Sequence, residues 1–105
     1  MKIMHIGVPT TRKQENESYN EDLKVYLTDP DKTEFNIEYL RYESGSSLPD
    51  CLQMRTHVAI RVDNFDELIE QYQPIFGPYK CNDELTIAFI EKDHTLFELM
   101  DLKSI

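Results

Sequence analysis

Positive charge is scarce in this chain: 11 Lys and Arg stand against 20 Asp and Glu, for a formal net charge of −9. Binding along a phosphate backbone depends on clustered cations that release counterions, so nucleic acid is not an expected partner. Cysteine is sparser still, with two in the chain. Cys51 and Cys81 make no CxxC pair, and two cysteines provide no disulfide framework, so both are expected as reduced thiols of a cytosolic protein. Long apolar runs are also lacking. Nothing approaches the ~20 residues of a membrane span, and Met1 to Val8 is too short and too interrupted for a signal segment. The expectation is a soluble cytoplasmic protein with no membrane partner. A chain of 105 residues is one structural domain by length, burying roughly 60 to 70% of the surface its unfolded form exposes.

What is present is a repeated oddity. His5 lies in the apolar run Ile3-Met4-His5-Ile6-Gly7-Val8, and His57 opens a second run, His57-Val58-Ala59-Ile60-Arg61-Val62. Each is followed by a glutamate inside another apolar stretch: Glu38 in Ile37-Glu38-Tyr39-Leu40, and Glu98 in Leu96-Phe97-Glu98-Leu99-Met100. Ionisable groups rarely sit within strand cores unless something pairs with them. Repetition of the pattern points to a four-ligand metal site at a pseudo-twofold axis.

The second half reads most directly. Val58, Ile60 and Val62 alternate with His57, Ala59 and Arg61, so one face belongs to a core and the other carries chemistry. Asp63 or Asn64 caps a following helix whose stripe is Phe65, Leu68, Ile69 and Tyr72, and Pro74 stops it. After the break at Gly77-Pro78, strands are expected at Tyr79 to Cys81, Leu85 to Glu91 and Thr95 to Asp101. The order is β, α, β, β, β.

The first half follows the same order with a damaged middle. Strands are expected at residues 2 to 8, Leu23 to Thr28 and Glu34 to Tyr42, the last two joined by the Asp29-Pro30-Asp31-Lys32 turn. Pro9 to Asp22 is polar, without an apolar stripe, so no full helix is expected there. Glu38 follows His5 by 33 residues and Glu98 follows His57 by 41, leaving the first copy eight residues shorter, about two helical turns. The predicted fold is α+β. Two tandem βαβββ modules form a curved mixed sheet around a central cavity, the first module shortened and lacking a full helix. Residues 1–50, with a Ser- and Gly-rich linker over 43–50, form the first module and 51–105 the second.

Two carboxylates brought together in a partly dry cavity repel one another, whereas a divalent cation neutralises both and accepts neutral histidine nitrogens as further ligands. A donor set of two nitrogens and two oxygens suits one divalent ion of Zn, Ni, Co, Mn or Fe better than Ca or Mg. Taken singly, a strand histidine is more often a hydrogen-bonded structural residue, and a strand glutamate more often a salt-bridged one, with Arg41 or Arg61 as partner. The pairing is what favours metal ligation by His5, Glu38, His57 and Glu98. His94, in the turn after Lys92-Asp93, is expected at the surface. Arg61, which shares a face with His57, is the candidate anchor for an anionic substrate group.

The strand histidines, the duplicated module, the His-Val-Ala-Ile-Arg-Val-Asp run at 57–63 and the Phe-Glu-Leu at 97–99 resemble the vicinal oxygen chelate superfamily. In ligand set the resemblance is closest to glyoxalase I and methylmalonyl-CoA epimerase. It is good over 56–101 and thin over 9–34. It implies that metal ligands occupy the first and last strands of each module, and that Glu98 or Glu38 is the catalytic base for an enediolate reaction of a small α-oxygenated carbonyl substrate. It also implies a homodimer. An Fe(II) dioxygenase is the alternative enzyme, needing two histidines and one carboxylate, with Glu38 as the discriminating residue. The alternative outside enzymes is a small-molecule binding or sequestering protein, motivated by the shortened first module.

Overall fold

The computed structural model describes residues 1–103, a mixed α+β chain made mostly of strand, with few helices. It divides into two compact units, one running from His5 to His57 and the other comprising Met1–Met4 and the chain from Val58 onward. None of the described helices is long and apolar enough to cross a membrane.

The unit His5–His57 contains β1 (Lys2–Pro9) from His5 onward, β2 (Ser18–Asn20), β3 (Val25–Leu27), β4 (Ile37–Tyr42) and the short helix α1 (Asp50–Met54). Its strand order is β2-β3-β4-β1. β3 runs antiparallel to β4, whereas β1 runs parallel to it with Gly7 opposite Glu38 and Val8 opposite Tyr39. Side chains alternate along a strand, so His5 and Gly7 of β1 share a face with Glu38 and Leu40 of β4. Leu23, Val25, Leu40, Leu48 and Leu52 are buried and supply this unit's apolar core.

No helix forms between Pro9 and Asp22, as the polar composition predicts, but the segment is not idle. Glu17, its side chain 5% exposed, receives Arg41 Nε and Nη2 at 3.0 and 2.8 Å in a bidentate pair and also accepts the Gln14 N–H. The Arg41 guanidinium lies 4.2 Å over the ring of Tyr26, its cross-strand neighbour. A polar segment is thus tied to the β4 face opposite Glu38, the face that carries Ile37, Tyr39 and Arg41.

Two local departures from expectation have clear causes. β4 begins at Ile37 and not at Glu34, because Thr33 Oγ1 accepts the Ile37 N–H and donates to the Ile37 carbonyl, and Phe35 and Asn36 turn through the left-handed region. The 43–50 stretch, read as linker, leads into α1, where Pro49 precedes the first turn and Leu52 is wholly buried.

In the second unit the elements are β5 (His57–Arg61) from Val58 onward, α2 (Phe65–Tyr72), β6 (Phe76–Lys80), β7 (Leu85–Lys92) and β8 (Thr95–Leu102), with sheet order β5-β8-β7-β6. The order β, α, β, β, β matches the alternation and the apolar stripe. Val62, Phe65, Ala88, Ile90 and Leu99 form a buried cluster, against which Ile60, Leu68, Ile69, Tyr72 and Phe97 pack, so α2 covers one face of β7 and β8. Asp93 and His94 both have positive φ, the conformation a two-residue turn needs to match strand twist, and His94 is exposed as expected. Gly77-Pro78 does not precede β6 but lies inside it, at a shift of register between Phe76 and Tyr79. Gly77 has φ +90°, and a Cβ there would meet the Ile87 carbonyl oxygen at 2.7 Å.

Both faces of β7 and β8 are buried over much of their length. Ile87 to Ile90 are buried without interruption, as are Glu98, Leu99 and Met100. The face that carries Glu98 is therefore as buried as the one α2 covers.

Two measurements check this account. Leu99→Ala should lower stability by about 2–5 kcal/mol in urea unfolding, the range for an aliphatic truncation in a closed core. The hydrogen bond from Arg41 holds the Glu17 carboxyl well below the ordinary range of a glutamate, at about 2. A lowered carboxyl pKa adds stability that is complete above the unfolded value and is lost as pH falls through the folded one. The stability difference between wild type and Glu17→Gln should therefore be constant above pH 4.5 and shrink towards pH 2; a difference unchanged across that window would contradict the pairing.

Candidate metal centre

Three of the four proposed ligands lie within the unit His5–His57 and meet there. β1 supplies His5. The parallel neighbour β4 supplies Glu38, placed on the same face because its register partner, Gly7, is two residues beyond His5. His57 enters at the start of β5.

The geometry is close. His5 Nε2 and Glu38 Oε1 are 3.3 Å apart, and the two imidazole centroids are separated by 6.0 Å with the rings inclined at 72°. One ligand-competent atom from each of His5, Glu38 and His57 lies within 4.8 Å of the others. Both histidines are buried, His57 at 2% and His5 at 7% exposure, while the Glu38 side chain retains 17%. His57 takes its position over Gly7. A Cβ built at Gly7 would overlap the Cε1, Nε2 and Nδ1 atoms of the ring, so the imidazole occupies the volume a side chain would need.

Glu98 belongs to the other unit. It is 7% exposed on β8, flanked along its own face by Leu96 and Met100 and opposite Phe89 in the β7 ladder, all buried. A carboxylate in such apolar surroundings is costly unless neutralised by charge or hydrogen bonds.

The donor chemistry fits a divalent transition metal. Two imidazoles and a carboxylate present nitrogen and oxygen donors at short range in a dry setting, which is a ligand set for borderline ions and a poor one for Ca or Mg. The group His5, Glu38 and His57 could hold such an ion. Arg41, one alternative partner for the carboxylates, is engaged with Glu17 on the opposite face of β4 from Glu38. Arg61 is half-buried at the end of β5.

Sequence reasoning did not single out Gly7. Its signal was available: it is one of only three glycines in the chain, and it sits two residues after a strand histidine where a packed strand favours a side chain.

Comparison of the chain with protein-family models, with characterised proteins and with solved structures returns no match.

Proposed function

We propose that the chain is a metal-dependent lyase or isomerase of the vicinal oxygen chelate kind, acting on a small α-oxygenated carbonyl compound. The observation that carries this reading is the buried meeting of His5, Glu38 and His57. In this proposal one divalent ion of Zn, Ni, Co, Mn or Fe is held by these three residues, and the buried Glu98 of β8 supplies a fourth donor. The two units are read as copies of one βαβββ module: the second complete from β5 to β8, the first retaining its strands but not its helix.

When bound, the ion would polarise the oxygens of the substrate and acidify the adjacent carbon. The chain's own residues do the rest. Glu38 or Glu98 takes the carbon-bound proton and returns it at the neighbouring position, the two-way transfer expected of a general acid–base carboxylate. His5, 3.3 Å from Glu38, restricts where that carboxylate can swing. The dry faces around Glu98 exclude bulk water that would otherwise compete for the proton. Arg61 is the candidate anchor for an anionic group on the substrate.

One observation favours a second reading. His5, His57 and Glu38 by themselves make up the two-histidine, one-carboxylate set that non-haem Fe(II) oxygenases use. The sequence makes Glu38 the residue that separates the two enzyme readings; with Glu38 beside His5, 3.3 Å away, the separating carboxylate is instead Glu98.

Elemental analysis of protein purified without chelator tests both. Metal near one equivalent is expected in wild type, with loss in His57→Ala. Metal-free wild-type protein would sink both enzyme readings and favour the sequestering protein. Glu98→Ala should lose metal if four ligands are needed and retain it if three suffice. Turnover of glyoxalase- or epimerase-type substrates by metal-replete wild type, lowered by at least about a hundredfold in Glu98→Gln and Glu38→Gln, is the corresponding activity result.

A further inference from the structure

Gly7 is the residue on which the arrangement of the site turns. It lies on β1 two positions after His5, is buried, and stands opposite Glu38 in the parallel ladder, so it occupies the floor between two of the proposed ligands. The third ligand rests on that floor. Three atoms of the His57 ring fall within the volume of a Cβ at position 7, with Nδ1 at 2.6 Å, too close for any side chain to share the space. His57 itself is 2% exposed and cannot retreat towards solvent without opening the surrounding packing.

We infer that Gly7 is a positioning residue: the absence of its side chain admits the His57 imidazole beside His5 and Glu38 and fixes its ring plane. The inference rests on the reading of those three residues as metal ligands. Its physical content is an exclusion. Strand alternation dictates that whatever stands at position 7 projects onto the face that bears His5 and Glu38. With hydrogen there, the imidazole seats against the backbone of position 7; with a methyl group, ring and side chain compete for one volume, and the site is left with His5 and Glu38 alone. Gly7 has no positive φ, so backbone conformation does not account for the glycine. Close approach does. The second histidine is likewise followed two residues later by a small residue, Ala59, which is fully buried.

The test is a cycle of Gly7→Ala, His57→Ala and the double variant, read in two ways. Co²⁺ titration followed by its visible absorption reports the ligand set. Gly7→Ala is expected to weaken Co²⁺ binding on the order of ten- to a hundredfold and to change the band shape towards that of His57→Ala, with no further loss in the double variant. A purely structural glycine would leave the Co²⁺ spectrum of folded protein unchanged, and that result overturns the inference. The urea midpoint is the second readout. Gly7→Ala should lower it in the wild-type background and cost much less where His57→Ala has removed the ring, including the case in which the single variant does not fold and the double one does. An equal cost in both backgrounds, or failure of both variants to fold, overturns the inference. Absence of Co²⁺ binding by wild type would refute the metal reading instead, and the urea cycle would still decide whether Gly7 seats His57.

Discussion

Burial of polar groups on strands is the constraint from which the rest of this structure follows. A strand has two faces, and where both are covered any ionisable side chain must be met by a partner or pay heavily for desolvation. β1 and β4 answer this by register. Their parallel pairing sets Gly7 against Glu38, and alternation then brings His5 onto the same face. A slip of one residue along this ladder would turn Glu38 to the opposite side, among Ile37, Tyr39 and Arg41, and dissolve the group. The position of the candidate ligands therefore depends less on the loops than on one pair of strands.

The parts of the fold legible in the sequence are those with a strong period. Phe65, Leu68, Ile69 and Tyr72 mark α2 because a helix needs a stripe to bury, and β8 is visible because apolar residues surround Glu98. α1 escaped notice because five residues show no period. β2 escaped because Ser18, Tyr19 and Asn20 are an edge strand with little apolar content. The start of β4 was misplaced by a side-chain hydrogen bond, that of Thr33 to Ile37, which no hydrophobic pattern encodes. The turn at Asp93-His94 was recognisable from its composition.

The candidate site divides in the same way. His5, Glu38, His57 and Glu98 stood out as exceptions in apolar runs, and the meeting of the first three is observed. Gly7 did not stand out, since the property that matters is empty volume. Whether a glycine serves a turn or makes room for a neighbour depends on a contact 50 residues away in sequence, which no local pattern encodes. Arg41 illustrates the converse. Its charge made it a plausible partner for either glutamate, but parity along β4 turns it away from Glu38 and towards Glu17.

The two units hold segments against their strands by different physics. In one, α2 spreads its hold over many small contacts from Phe65 to Tyr72. In the other, the polar segment before β2 is tied to β4 by the Thr10 N–H to the Leu40 carbonyl and, through side chains, by the forked pair between Glu17 and Arg41. Distributed apolar cover degrades by increments as residues drift, since similar side chains can replace one another with small losses. A forked pair has no intermediate state, because lysine in place of arginine keeps the charge and loses the fork. The mutational tolerance of the two halves is therefore expected to differ in kind: gradual erosion around α2, and abrupt failure at one pair of positions in the polar segment before β2.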